Sequence, residues 1–173
     1  MRVALAQINT TVGDMAGNVA RILDAAREAA RKGAEVVVFP ELAITGYPPR
    51  DLLEKPTFLE RSEEALADLV RRTVELDPVL VCGYVARAPG ASAKPAQNCA
   101  AIIQRGEILF RQTKMLLPTY DVFDEARYFL PAERQQVFPL GGVPTALTIC
   151  EDAWNDKQFW ERRRYQRDPV EEL

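Results

Sequence analysis

The chain has 173 residues, 47% of them hydrophobic, enough for one globular domain with a sizeable core and too few for two comfortable ones. Its net charge of -3 and pI near 5.2 leave no broad basic surface for nucleic acid or anionic lipid, and the locally positive tract "ERRRYQR" at 161–167 reads as a solvated helix face. Three cysteines without a CxxC pair argue against a disulfide framework or a cysteine-zinc site, and the complete absence of histidine removes every Cys-His or Ser-His dyad and any ordinary histidine metal cluster.

Residues 2–8, "RVALAQI", suit a first strand; the apolar run breaks at Asn9 and is neither a secretory signal nor a membrane span, which points to the cytoplasm. Turn residues follow, with Asn18 as candidate N-cap of a helix over 19–32, where Val19, Ile22, Leu23, Ala26 and Ala30 recur at helical spacing and Gly33 closes the run. "EVVVFPE", 35–41, reads as a strand buried on both faces. After the loop "LAITGYPPRDLLEKP", a second amphipathic helix is expected over 57–76, with Leu59, Leu66, Leu69, Val70 and Val74 on its apolar side. "DPVLVCGYVA" is a third strand, and "RAPGASAKPAQN", 87–98, a mobile surface loop. "CAAIIQRGEILFRQTK" reads as a hairpin turning at Arg105-Gly106. Residues 115–135 have no clean period and read as a packed loop with a helical turn. "QVFPLGGVPTALTIC" adds two strands around a Gly-Gly-Val-Pro turn, and "DKQFWERRRYQRD" resumes as helix. The order indicates an α/β layered domain whose sheet mixes parallel neighbours with antiparallel hairpins. Repeats, linkers and phosphate-binding glycine loops are missing from the pattern.

Cys150 ends an apolar run just before an expected helix, where backbone N–H groups can stabilise a thiolate and later an oxyanion. Read alone, it is more readily a small buried hydrophobe, the reading given to Cys82 and Cys99. Glu41 and Lys114 also end expected strands; alone, Glu41 reads equally as a site carboxylate or an exposed strand-end acid, and Lys114 as a solvated strand end. Together the three offer a nucleophile, a base without histidine, and a cation for a tetrahedral oxyanion, all at one sheet edge.

"FPELAITGY" with Glu41, "RQTKMLLPTYDVFDEARYF" with Lys114 and "TICEDAW" with Cys150 resemble, in the right order, the three motifs of the nitrilase or carbon-nitrogen hydrolase superfamily. The resemblance implies an α-β-β-α sandwich that hydrolyses non-peptide carbon-nitrogen bonds through a cysteine thioester. It implies Glu41 as general base, Lys114 as transition-state stabiliser and Cys150 as nucleophile, with Glu125 as an additional carboxylate and Tyr120 near the scissile amide. "TVGDMAGN" and "TGYPPRDLL" are similar to the glutaminase domains of glutamine-dependent NAD synthetases within that superfamily, which implies glutamine as substrate and Glu151 as the receiver of its α-ammonium group. On that resemblance residues 1–173 are expected to be an incomplete hydrolase domain, truncated at its C-terminal side and inactive or nearly so alone. The partner would be a synthetase domain of the same full-length protein, absent here, which alone would use ATP and magnesium; the hydrolase would need no cofactor or metal. A homo-oligomer is expected by the same analogy. Two other readings stay open: another amidase of the superfamily, such as an ω-amidase or carbamoyl-amide hydrolase, and a non-catalytic assembly domain.

Overall fold

The computed structural model describes residues 1–90, 92–155 and 158–173. Strand β1 (Val3–Leu5), helix α1 (Met15–Arg31), β2 (Val36–Val38), helix α2 (Pro56–Arg72) and β3 (Val79–Arg87) form two successive parallel β-α-β units. Strands β4 (Ala96–Gln104) and β5 (Glu107–Thr113) then extend the sheet antiparallel, in the spatial order β1-β2-β3-β4-β5. The expected turn joins β4 to β5: Arg105 and Gly106 both have positive φ, 46° and 84°, the twist a two-residue hairpin turn requires. Helix α3 (Glu125–Tyr128) is the helical turn expected within the packed loop.

The sheet is apolar on both faces, as its uninterrupted valines suggest. Val37, Leu80, Cys82, Ala101 and Ile103 pack under Ile22 and Leu23 of α1 and Leu66 and Leu69 of α2. On the opposite face Val36, Val79, Val81 and Ile102 meet Phe138 and Leu140 of a separate two-stranded sheet, β6 (Val137–Leu140) and β7 (Val143–Ala146). The described residues therefore build helix, sheet and sheet layers; an outer helical layer beyond β6 and β7 is not formed among them. Within the described residues, no helix is long and apolar enough to cross a membrane.

Several boundaries differ from expectation, some for local reasons and some through tertiary contacts. Helix α1 begins one turn early because Asp14, whose side chain accepts from Gly17 N at 3.0 Å, is the cap. Asn18 is instead buried inside the helix, donating to the carbonyls of Thr11 (2.8 Å) and Ile44 (3.0 Å) and accepting from Thr11 N. Helix α2 starts on Pro56 and stops at Arg72, leaving Val74 exposed. Of the helix expected over 156–168, Asp156 and Lys157 lie outside the described residues and the remainder forms turns. There the backbone is held by tertiary bonds: Asn155 Nδ2 donates to the carbonyls of Tyr165 (3.0 Å) and Arg167 (2.6 Å), groups that a regular helix would direct elsewhere.

Candidate active site

Glu41 lies three residues past the end of β2, beyond Pro40, rather than at the strand terminus. Its loop crosses directly over β3, where Phe39 N donates to Val81 O (2.9 Å) and Ile44 N to Gly83 O (3.2 Å). A Cβ on Gly83 would stand 2.4 Å from Leu42 N and 2.7 Å from Pro40 O, so only glycine permits this approach. Lys114 directly follows β5, whose C-terminal end lies at the same sheet edge as that of β2. These two residues thus fulfil the single-edge expectation. Cys150 does not: β7 ends at Ala146, and Cys150 opens a one-turn 3-10 helix, Cys150–Ala153, contributed from the second-sheet side.

Lys114 is fully buried, with its Nζ 2.6 Å from Glu41 Oε1 and 3.0 and 2.8 Å from the two oxygens of Glu125. Burial opposes its charge, but the two carboxylates outweigh burial and hold its ammonium above the ordinary lysine value. Tyr47 OH donates to Glu125 Oε1 at 2.8 Å, and Asn98 Nδ2 to Glu41 Oε1 at 2.6 Å. The cation is thereby fixed between two carboxylates, each oriented by a neutral donor.

Cys150 takes a left-handed φ of 45°, uncommon for a residue with a Cβ and often seen where a side chain must be aimed at a ligand. Desolvation, followed by the charge of Glu41, pushes its thiol above the ordinary cysteine value, while Lys114 works in the opposite sense. A four-residue turn supplies little of the helix field expected to favour a thiolate, so the resting group is a thiol that needs a base. Cys82 and Cys99 are buried, as expected of packing residues, and burial pushes the Cys82 thiol up to about 12.

Glu151 is buried beside the nucleophile, and both its oxygens are engaged: Tyr120 OH donates to Oε2 at 2.8 Å and Tyr165 OH to Oε1 at 2.9 Å. Tyr120 is therefore brought to the Cys150 turn by its bond to Glu151. Asp152, also fully buried, accepts from Met115 N (2.9 Å), Leu116 N (2.8 Å), Ile149 N (3.1 Å) and Gln135 Nε2 (3.3 Å). It locks the chain next to Lys114 to the chain next to Cys150. A cleft of about 630 Å³ runs from Glu41 and Cys150 past Val38, Gly83, Ala100 and Leu147. Glu41, Lys114 and Glu125 thus make one bonded cluster; Cys150 faces it through its charge field, and Glu151 and Tyr120 make a second cluster on the nucleophile turn.

Sequence reasoning missed Tyr47, Asn98, Asp152 and Tyr165. Asn98 carried a readable signal, an amide leading straight into the apolar run "CAAII", but lay at the end of a segment taken for a mobile loop and is in fact within β4.

A profile of the family described as carbon-nitrogen hydrolase matches residues 2–160. The chain is 43% identical over 174 residues to a glutamine-dependent NAD(+) synthetase of Synechocystis sp., covering 99% of this chain and 31% of that protein. It superposes on the glutamine-dependent NAD+ synthetase of Acinetobacter baumannii with a TM-score of 0.77 and 33% identity, over 88% of this chain and 28% of that one. A variant of an amidase from Nesterenkonia sp. AN1, in which acrylamide has undergone Michael addition at the active-site cysteine, matches with a TM-score of 0.72 and 26% identity, over 88% and 58%. The chain therefore spans about a third or less of the synthetases it matches and over half of the amidase.

Proposed function

The chain belongs to the carbon-nitrogen hydrolase family, and from that premise we propose that it hydrolyses the side-chain amide of glutamine through a thioester on Cys150, supplying ammonia for the amidation that makes NAD. The observation that carries the chemistry is the buried Lys114 bridging Glu41 and Glu125, with Glu41 and Cys150 lining one cleft. The similarity to two glutamine-dependent NAD synthetases supports the substrate.

In the proposed sequence Glu41 takes the thiol proton as sulfur attacks the amide carbon. The tetrahedral oxyanion forms beside the Lys114 ammonium, which remains charged because two carboxylates surround it. Collapse expels the amine as Glu41 returns the proton to nitrogen, leaving the thioester and ammonia. Glu41 then draws a proton from water, hydroxide attacks the thioester, and glutamate leaves as the thiol is restored. Glu125 anchors Lys114 throughout. Glu151 receives the substrate's α-ammonium on the lone pairs its two tyrosine donors leave open, and Tyr120 lies near the amide. ATP and magnesium belong to the synthetase partner domain, and the setting is cytoplasmic.

The amidase likeness favours one second reading, a broader amide hydrolase with the same triad. Ammonia release from a panel of amides by the enzyme, with its synthetase portion attached, separates the two: glutamine should lead, and preference for simple aliphatic amides would select the rival. Mass spectrometry should find a glutamine-like electrophile on Cys150 and none on Cys150→Ala; labelling of Cys82 or Cys99 instead would overturn the assignment.

A further inference from the structure

The chemistry proposed above requires Glu41 to present one defined oxygen to the sulfur. Asn98 on β4 is fully buried, and its Nδ2 donates at 2.6 Å to Glu41 Oε1, the same oxygen that Lys114 Nζ reaches at 2.6 Å. Its main-chain carbonyl accepts from Lys114 N at 2.8 Å. One residue thus holds the base through its side chain and the main chain of Lys114 through its own backbone.

The rest of the amide points to the same role. Asn98 Oδ1 is buried without a hydrogen-bond partner among the described residues. Such an oxygen is costly, and an amide can often escape the cost by turning over. Turning here would set Oδ1 against the Glu41 carboxylate, acceptor against acceptor, so the bond to Glu41 dictates the orientation. The other titratable groups around Glu41 are Lys114 at the end of β5, Glu125 on α3, Cys150 on its 3-10 turn and Tyr47 further along the loop that carries Glu41. Unlike the lysine and the second carboxylate, Asn98 holds Glu41 without a charge and without a proton to lose.

We infer that Asn98 is a positioning residue: with Lys114 it fastens Glu41 Oε1 and leaves Oε2 as the oxygen that takes the Cys150 proton. The inference rests on the reading of Glu41 as base. In that step the S–H bond breaks, an O–H bond forms on Oε2, and the sulfur keeps the electron pair with which it attacks the amide carbon.

The test is a double-mutant cycle on acylation of Cys150 by the γ-p-nitrophenyl ester of glutamate, which forms the γ-glutamyl thioester as nitrophenolate leaves, followed by rapid quenching and mass spectrometry in the parent, Asn98→Leu, Glu41→Gln and the double variant. Asn98→Leu should slow acylation about ten- to a hundredfold in the parent. Because it acts through Glu41, it should slow Glu41→Gln by no more than about twofold. Equal losses in both backgrounds would mark a merely structural residue and overturn the inference, as would no loss in the parent. Should Asn98→Leu lose its fold by circular dichroism, Asn98→Asp keeps the shape and carries the same cycle, slow in the parent and neutral beside Glu41→Gln, whose amide can donate to the new carboxylate. If the parent is not acylated at Cys150, or Glu41→Gln reacts as fast as the parent, the base reading fails and this inference with it. Glu41-dependent acylation indifferent to Asn98 refutes this inference alone.

Discussion

Replacing Lys114 by methionine would leave two carboxylates facing each other in the interior, with nothing to balance them. The lysine side chain is 0% exposed, its partners Glu41 and Glu125 only 19% and 5%, and its Nζ reaches them at 2.6 and 2.8 Å. An exposed pair of this kind contributes at most about 1 kcal/mol. Removing one member of a buried pair instead costs about 3–5 kcal/mol, because the partner's charge stays desolvated and unpaired. Out of a typical stability of about 5–15 kcal/mol that is a large loss, and it should lower the melting temperature by roughly 10 °C. The loss should also depend on pH with a definite sign. Burial already pushes the Glu125 carboxyl up, with Lys114 working against it. Without the cation that rise is unopposed, so the native variant holds a proton that the unfolded chain has released, and stability falls as pH rises through this interval. Urea unfolding of the parent and Lys114→Met should therefore show the largest deficit near about pH 8 and a smaller one near about pH 5. Lys114→Met/Glu125→Gln, which removes one orphaned charge and keeps an acceptor for Tyr47, should recover part of the deficit. A deficit independent of pH, or a double variant poorer by the sum of both changes, would refute the electrostatic account.

Gly83→Ala should cost about 1–3 kcal/mol by forcing the Glu41 loop off β3, and should slow Cys150 acylation as well; unchanged melting and acylation would mean the loop can yield. Asp152→Asn should cost about 2–4 kcal/mol in chemical denaturation, since an amide cannot accept from both the Met115–Leu116 side and Ile149 N. The Cys150 thiol, raised first by burial and then by Glu41, should ionise above the pH of free cysteine when followed by thiolate absorbance, and Glu41→Gln should move the midpoint down; a midpoint below that of free cysteine would contradict the protonated resting state.

The candidate site was partly legible because its members carry local signals. The absence of histidine is a property of composition, and it confines any base for Cys150 to Glu, Asp or Lys before any coordinates are considered. Glu41, Lys114 and Glu125 sit in ordered motifs and meet through bonds of 2.6 to 3.0 Å. Asn98 and Asp152 escaped notice because their work is done with residues far away in the chain: Asn98 with Glu41, and Asp152 with Met115 and Leu116. Tyr165 escaped because its segment reads as helix, and only the bonds to Glu151 and Asn155 draw it into turns.

What the sequence by itself determined was whatever depends on a residue's immediate neighbours: two amphipathic helices, valine runs suited to a sheet covered on both faces, the Arg105-Gly106 turn, and which side-chain chemistries were available. Helical period, strand alternation and left-handed turn residues act over a few positions, so they can be read in one dimension. Tertiary structure alone decided that Asn18 is buried against Ile44 rather than capping α1, that Cys150 comes from the second-sheet side, and that Gly83 lets the Glu41 loop lie on β3. It also made one buried lysine answer to two acids. Those outcomes arise from burial and from hydrogen bonds between distant segments, and neither exists until the chain has folded.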